Sequence, residues 1–446
     1  MAHFPKPAEG SWTEHYPQLG TGLVSFEDSI SPEHYELERK AIFRRTWLNV
    51  GRVEQIPRTG DYFTKEIHAA GASVIIVRDR EGRVRAFHNL CRHRGNKLVW
   101  NDYPNEETRG TARQFTCKYH AWRYGLDGAC TFVQQESEFF DLDRAKLGLL
   151  PVRCEVWEGF IFVNFDDEDT TPLRDYLGRL AWGMEGYPFD RMTEVYKYRA
   201  EVRSNWKLYI DAFVEFYHAP VLHAKQYVDS ESRKLMGYGY ESLHYEIDGP
   251  HAMQSAWGGM APPKDLSMVK PIERVLRSGN FGPWDRPDIP GLNPLPPGIN
   301  PSRHRAWGLD SYLFFPNFMI VVWAPGWYLT YHYWPTAYNQ HVFEGTLYFV
   351  PPRNATERIR HELAAVTFKE FALQDCNTLE ATQTMLESRA VSHFPLNDQE
   401  IVVRHLHHTA GEYVARYLER QKEQQKERQK PAGAPSSRRP EAARVS

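Results

Sequence analysis

Two short patterns, Cys91-Arg-His93 and Cys117-Lys-Tyr-His120, narrow the possible readings of this chain more than anything else in it. Each supplies one thiol and one imidazole within a few residues. Each pair therefore has to sit on a tight loop, with both side chains turned toward a common centre. Two thiolates on one iron and two imidazoles on the other can hold a [2Fe–2S] cluster, whose neutral imidazole ligands raise its reduction potential. Structural zinc also takes two cysteines and two histidines, but usual zinc spacings keep like ligands together, whereas here each loop supplies one of each. Gly95 and Gly125 flank the loops and offer the backbone room to turn.

The surroundings read as an all-β module. Short β-rich runs cover 73–78, 84–89, 114–116, 152–156 and 160–165, punctuated by Gly, Asp and Arg. An acidic, threonine-containing linker at 166–171 closes it. Before it, residues 31–45 carry Tyr35, Leu37, Ile42 and Phe43 at the spacing of a short amphipathic helix.

A second constellation follows in the run from Asn205 to His223. Trp206, Tyr209, Ile210 and Phe213 recur at helical spacing. Asp211, Glu215 and His218 stand four and three apart, which places them on one face of a helix. His223 lies five beyond His218, off that face, and Pro220 gives the helix a reason to distort or end so that both imidazoles converge. Two histidines and one carboxylate make the facial triad of non-haem Fe(II) oxygenases, which leaves coordination positions open for O2. Strand-like runs near 312–350 precede a long helix at about 356–386, supported by Ile359, Leu363, Val366, Phe371 and Leu379. The Pro- and Gly-rich stretch 264–305 reads as a long irregular loop.

The formal net charge of -3 gives no sign of nucleic acid or an anionic membrane as partner. The most apolar stretch, 313–330, is broken by Pro316, Asn317, Pro325 and Gly326 and reads as strands joined by turns, not a membrane span. Five cysteines and no apolar run at residues 1–10 suggest reduced thiols or metal ligands and a cytoplasmic location.

Taken together, Cys91-Arg-His93-Arg-Gly95, Cys117-Lys-Tyr-His120-Ala-Trp122 and the 205–223 run resemble the Rieske non-haem iron oxygenases, in particular the large (alpha) subunits of aromatic ring-hydroxylating enzymes, across about residues 30–390. The resemblance favours iron–sulfur over zinc. It implies an α+β protein: an all-β Rieske [2Fe–2S] domain at 47–165 and a helix-grip (START-like) catalytic domain with an antiparallel sheet at 166–420. A helical segment at 1–46 would pack on the catalytic domain, and a tail at 421–446, rich in charge, Pro, Ala and Ser, would be disordered.

On the same resemblance Cys91, His93, Cys117 and His120 bind the cluster, and His218 and His223 bind one mononuclear Fe(II). Asp375, followed by Glu380 and Gln383 as in the family, supplies the third ligand. Glu215 matches the family's bridging carboxylate, linking His120 of one subunit to His218 of the next in a homotrimer, with a small beta subunit as an optional companion. Ferredoxin or a flavin reductase would supply electrons, and the substrates would be O2 and a small organic molecule. The expected reaction is hydroxylation, first of all cis-dihydroxylation of an aromatic ring in hydrocarbon catabolism. Monooxygenation or O- or N-demethylation is the alternative on the same scaffold. A zinc-containing, non-catalytic protein that binds hydrophobic ligands is the alternative of another class. The chain departs from the family pattern in three places: Ala121 where Gly is usual, Glu215 where most members have Asp, and a longer stretch at 101–110.

Overall fold

The computed structural model describes residues 12–224, 242–257, 267, 269–279 and 282–429. Helix α1 (Pro32–Glu38) opens where the Ser31 hydroxyl accepts the His34 N–H at 3.1 Å, and a wider turn, Arg39–Phe43, carries it on. That turn buries Ala41, Ile42 and Phe43, with Phe43 edge-on to Trp206 at 5.3 Å. The N-terminal segment is thereby anchored to the part of the chain that holds the second constellation.

Strands β1 (Leu48–Arg52), β2 (Asp61–Ile67), β3 (Ala72–Arg78), β4 (Val84–His88) and β5 (Arg109–Thr111) form the first sheet together with two later strands. A small three-stranded sheet, β6 (Phe115–Thr116), β7 (Arg123–Tyr124) and β8 (Cys130–Phe132), follows. β9 (Pro151–Trp157) and β10 (Phe160–Asn164) then complete the first sheet in the order β1-β10-β9-β4-β3-β2-β5, antiparallel throughout. β3 carries Val74–Val77, all fully buried, and Ile75 and Val77 face the small sheet's core with Cys91 and Cys117.

The chain next forms α2 (Leu173–Met184), β11 (Glu194–Val202), α3 (Trp206–Asp211) and α4 (Ala219–Leu222). Strands β12 (Ser242–Asp248), β13 (His251–Trp257), β14 (Trp307–Phe314), β15 (Phe318–Trp323), β16 (Trp327–Ala337) and β17 (Gln340–Phe349) come after them, then helices α5 (Ala355–Glu387) and α6 (Ile401–Gln429). The second sheet runs β11-β17-β16-β15-β14-β13-β12, again antiparallel. Alternation along its strands divides two cores. Leu309, Leu313, Val321 and Trp323 face α5, where Phe368 sits edge-on to Trp323 and Trp327 at 5.0 and 5.1 Å. Tyr312, Phe314, Ile320 and Val322 face α2 and the first domain's Trp157 and Phe160. A long helix gripped by a curved antiparallel sheet is the helix-grip arrangement.

A buried ion pair, Lys65 to Glu344 at 2.9 Å, ties the two sheets together, and Trp334 Nε1 donates to the same carboxylate at 3.2 Å. Burial works against the charged form of Glu344, but Lys65 and Lys197 outweigh it and hold the carboxyl well below its ordinary range.

Two expectations change. The tail is not without structure from residue 421, because α6 runs on to Gln429. Its first turns are anchored by buried Ile401, Val402, Val403, Leu406 and Ala410, and the Glu, Gln, Lys and Arg beyond them are good helix formers. The remainder of that tail, 430–446, and residues 1–11 of the N-terminal segment lie outside the described residues. The 264–305 stretch, of which 264–266, 268, 280 and 281 also lie outside them, is mostly irregular but contains a short helix, Pro271–Leu276. No helix among the described residues is long and apolar enough to cross a membrane.

Candidate metal centres and active site

The two cysteine–histidine loops share one hydrogen-bond pattern. Cys91 N–H donates to Asn96 O at 2.8 Å and Gly95 N–H to Cys91 O at 3.0 Å; Cys117 N–H donates to Trp122 O at 2.8 Å and Ala121 N–H to Cys117 O at 3.0 Å. In both loops the residue four beyond the cysteine is left-handed, with φ 74° at Gly95 and 59° at Ala121. The freedom to turn is therefore needed at Ala121, not at Gly125, which is not among the left-handed glycines. An L-residue in that conformation costs about 1–2 kcal/mol, which gives a physical reason for the family's glycine there.

The cysteines are buried at the base of the loops and the imidazoles are half-buried at their tips. The His93 and His120 rings lie 4.7 Å apart at 72°, and His93 stacks on Trp122 at 5.0 Å. His93 Nδ1 is buried with no hydrogen-bond partner among the described residues, as an imidazole nitrogen reserved for a metal would be. This donor set fits a cluster. Tyr124 adds a feature that spacing does not reveal. Its hydroxyl accepts Arg92 N–H at 3.0 Å and stands 3.3 Å from Cys91 Sγ, so its own proton is free to point at the sulfur. Hydrogen bonds to cluster sulfurs raise the potential. Tyr124→Phe should lower it by on the order of 50 mV, the one-electron equivalent of about 1 kcal/mol, in a redox titration of the Rieske signal.

The second constellation departs from a single helical face. α3 ends at Asp211, residues 212–218 turn, and α4 begins at Ala219 with Pro220 in its first turn. Proline starts this helix instead of ending one, since its missing N–H has no partner to lose there. The turn swings Asp211 away from Glu215 and His218, and its Oδ2 pairs with His407 Nε2 of α6 at 3.1 Å.

His218, His223 and Asp375 do come together. The two Nε2 atoms are 3.3 Å apart, and Asp375 Oδ1 is 3.8 Å from the first and 3.4 Å from the second. Each imidazole is fixed through its other nitrogen: His218 Nδ1 bonds Glu215 Oε1, and His223 Nδ1 bonds Gln374 Oε1 at 2.7 Å. Those partners demand Nδ1–H and leave both Nε2 lone pairs aimed at each other across the gap, which only a cation makes favourable. Asp375 Oδ1 is buried with no hydrogen-bond partner among the described residues. Burial is the main reason its carboxyl is pushed up to about 7, so its ionised form also wants a cation. These residues fit a mononuclear iron. Gln374 was not singled out by sequence reasoning; its position next to Asp375 is the only signal it gives.

Helix α5 also fixes the opposite end of this segment. Glu380 Oε1 accepts Arg203 N–H at 2.9 Å and Gln383 Oε1 accepts Asn205 N–H at 2.8 Å, where α3 begins. The Glu and Gln that follow Asp375 are thus clamps that hold one ligand-bearing element against the other.

Over the triad lies a cavity of ≈ 100 Å³, with Phe213, Phe216, Trp257, Trp323 and Tyr331 among its lining. Its lining contains no Lys or Arg among the described residues.

Residues 46–148 match the model of the Rieske [2Fe-2S] domain and residues 189–416 that of the ring hydroxylating alpha subunit (catalytic domain). The chain is 31% identical over 191 residues, 42% of its length and 49% of the relative's, to the carnitine monooxygenase oxygenase subunit of Escherichia coli (strain K12). It is 35% identical over 193 residues, 43% of its length and 41% of the relative's, to the glycine betaine monooxygenase oxygenase subunit of Chromohalobacter salexigens. These matches span less than half of either relative. A solved structure of a quaternary ammonium Rieske monooxygenase shares the fold with a TM-score of 0.67 at 18% identity, covering 92% of this chain and 99% of that one. With a Rieske [2Fe–2S] domain joined to a catalytic domain of the mononuclear-iron type, the chain belongs to the ring-hydroxylating alpha subunits, the terminal components of Rieske oxygenases.

Proposed function

We propose that this chain hydroxylates a small quaternary-ammonium substrate by monooxygenation, with Cys91, Cys117, His93 and His120 holding the cluster and His218, His223 and Asp375 the iron. When bound, the cluster supplies electrons singly and the iron provides the place where O2 is activated. The observation that carries the substrate class is the aromatic lining of the cavity over the triad. Aromatic faces attract a desolvated quaternary ammonium through their quadrupoles, without any carboxylate partner. The relatives' names point the same way, which moves monooxygenation ahead of the ring dihydroxylation first expected from sequence.

The protein's own tasks are to fix both imidazoles through Glu215 and Gln374, to surround the substrate with apolar walls and to exclude water. Among the described residues no hydrogen bond or ion pair joins Glu215 to His120 within the chain. The bridging role therefore calls for a neighbouring subunit, as in a homotrimer, with or without a small beta subunit. A ferredoxin or flavin reductase would be the electron donor, and the cytoplasm the compartment. The cluster domain would take 47–165 and the iron domain 166–429, since α6 runs unbroken to Gln429. Glu215→Gln should retain both metals and lose turnover by about 100-fold, measured as product per electron delivered. Normal coupled turnover in that variant would remove the bridge.

The test is iron, zinc and sulfide content with low-temperature EPR on dithionite-reduced protein, then turnover of a quaternary-ammonium panel under labelled O2. One labelled oxygen in an aldehyde or hydroxylated product supports the proposal. Two in a cis-diol from an aromatic substrate would replace it with dihydroxylation, and zinc without sulfide would leave only the ligand-binding alternative.

A further inference from the structure

The sheet face that looks onto the triad carries two adjoining polar side chains with donors that nothing else in the described chain satisfies. Ser311, on β14, lines the cavity, is 4% exposed, and its Oγ has no hydrogen-bond partner among the described residues. Its registered partner across the β13–β14 pair is Gln254, 1% exposed. Residues directly opposite in an antiparallel pair share a face, with Cβ atoms about 4.5–5.5 Å apart. Gln254 Oε1 accepts the Ser242 hydroxyl at 3.3 Å, which turns its Nε2 the other way, and Nε2 has no partner among the described residues. Along β13 the same-face neighbours are Ala252 and Ala256, so no tall side chain on that strand covers the amide.

Buried donors are almost always paired, and Ser311, an unpaired donor in the cavity wall with a second unpaired donor on the residue opposite it, marks where a ligand atom completes the set. We propose that Ser311 Oγ–H and Gln254 Nε2–H form a recognition point for an uncharged oxygen acceptor of the substrate, a hydroxyl, ether or carbonyl. The protein would thereby select oxygen-bearing substrates over their hydrocarbon counterparts. A carboxylate suits the site less well, because the cavity lining has no Lys or Arg among the described residues and an unpaired buried carboxylate is strongly disfavoured. Val321, Ser311's partner on the other side, completes an apolar border that gives the two donors their selectivity. The inference rests on reading this cavity as the substrate site, but not on the substrate being an ammonium ion.

Calorimetric binding to the metal-loaded protein tests it with two matched pairs of probes. One pair is hydroxyethyl-trimethylammonium and propyl-trimethylammonium; the other is naphthol and naphthalene. In whichever pair binds, the hydroxyl-bearing member should bind about tenfold tighter or more, as expected when a buried donor is otherwise left unpaired. Ser311→Ala and Gln254→Met should each bring that ratio close to one, and Ser311→Thr, which keeps a hydroxyl, should preserve much of it. A ratio near one in the unaltered protein, or a ratio that survives both Ser311→Ala and Gln254→Met, would overturn the proposal. If only the naphthol pair binds, with the expected preference, the recognition point stands and the quaternary-ammonium reading falls. If neither pair binds, both fall.

Discussion

Asp375→Ala should yield a protein that keeps its [2Fe–2S] cluster, lacks the mononuclear iron and has no measurable turnover. Metal analysis should then give about two irons and two sulfides per chain in place of about three irons and two sulfides, with the reduced cluster's EPR signal unchanged. The reasoning starts from the gap between the imidazoles. Two Nε2 lone pairs 3.3 Å apart repel unless a cation stands between them, and Asp375 supplies the only carboxylate oxygen within reach of both among the described residues. Removing it leaves two neutral nitrogens, too little charge and too few ligands to hold Fe(II) against water. The cluster is a separate structure, built from loops packed on Trp122 and Tyr124, so it has no reason to respond. Retention of the third iron in Asp375→Ala would take the carboxylate out of the ligand set. Loss of the cluster together with the iron would mean that the two domains fold as one unit and that the variant reports on stability instead.

How much of the site is legible in the sequence depends on the range of the interaction involved. The cluster ligands were legible because each Cys–His pair acts within a loop of four or five residues, and local spacing alone decides whether both can face one centre. Asp375 lies 152 positions beyond His223 (375 minus 223), and no periodicity connects them; the family resemblance located it. Helical spacing across 211–218 misled for a physical reason. It treats the backbone as unbroken, while Glu215 closing onto His218's own N–H at 3.1 Å competes with a continuing helix. Asp211, read as part of the metal face, turns instead to His407, 196 positions away, because a buried carboxylate takes the cation that tertiary packing offers. Gln254 and Ser311 give no signal along the chain at all. They become conspicuous only when strand register puts them side by side and burial shows their donors unpaired.

His407→Ala should destabilise the protein by about 3–5 kcal/mol near neutral pH, the scale on which a buried charge loses its partner. His407 is 7% exposed and joins two acids from different parts of the chain, Asp28 through Nδ1 and Asp211 through Nε2, each at 3.1 Å. Around it, Lys207 lies 3.6 Å from Asp28 and bonds Glu38, which also accepts Trp206 Nε1 at 3.0 Å; His34 is 3.7 Å from Glu38. Burial alone would push the His407 imidazole down, but Asp211 and Asp28 together outweigh it and carry it up to about 10. Burial likewise opposes the charge on Asp28, yet Lys207 and His407 hold that carboxyl well below its usual range. Burial raises the Asp211 carboxyl even though His407 faces it, and Asp211 still does more than Asp28 to raise His407. For His407 the folded value lies above the ordinary 6.5, so its stabilisation is complete below about 6.5 and is lost as pH rises toward 10. For Asp28 the folded value is depressed, so its share is present above about 4 and is lost as pH falls through that range. Urea melts of the unaltered protein and His407→Ala should therefore differ most near pH 6 and converge by about pH 10. A difference of the same size at both ends would mean that His407 acts as a packed neutral ring and not as a buried cation. The outcome bears on catalysis as well, since Asp211 ends α3 and the next turn delivers Glu215 and His218. Loosening Asp211 from α6 should raise the electrons consumed per product formed even where the iron remains bound, because the turn that aims His218 would lose one of its two fixed ends.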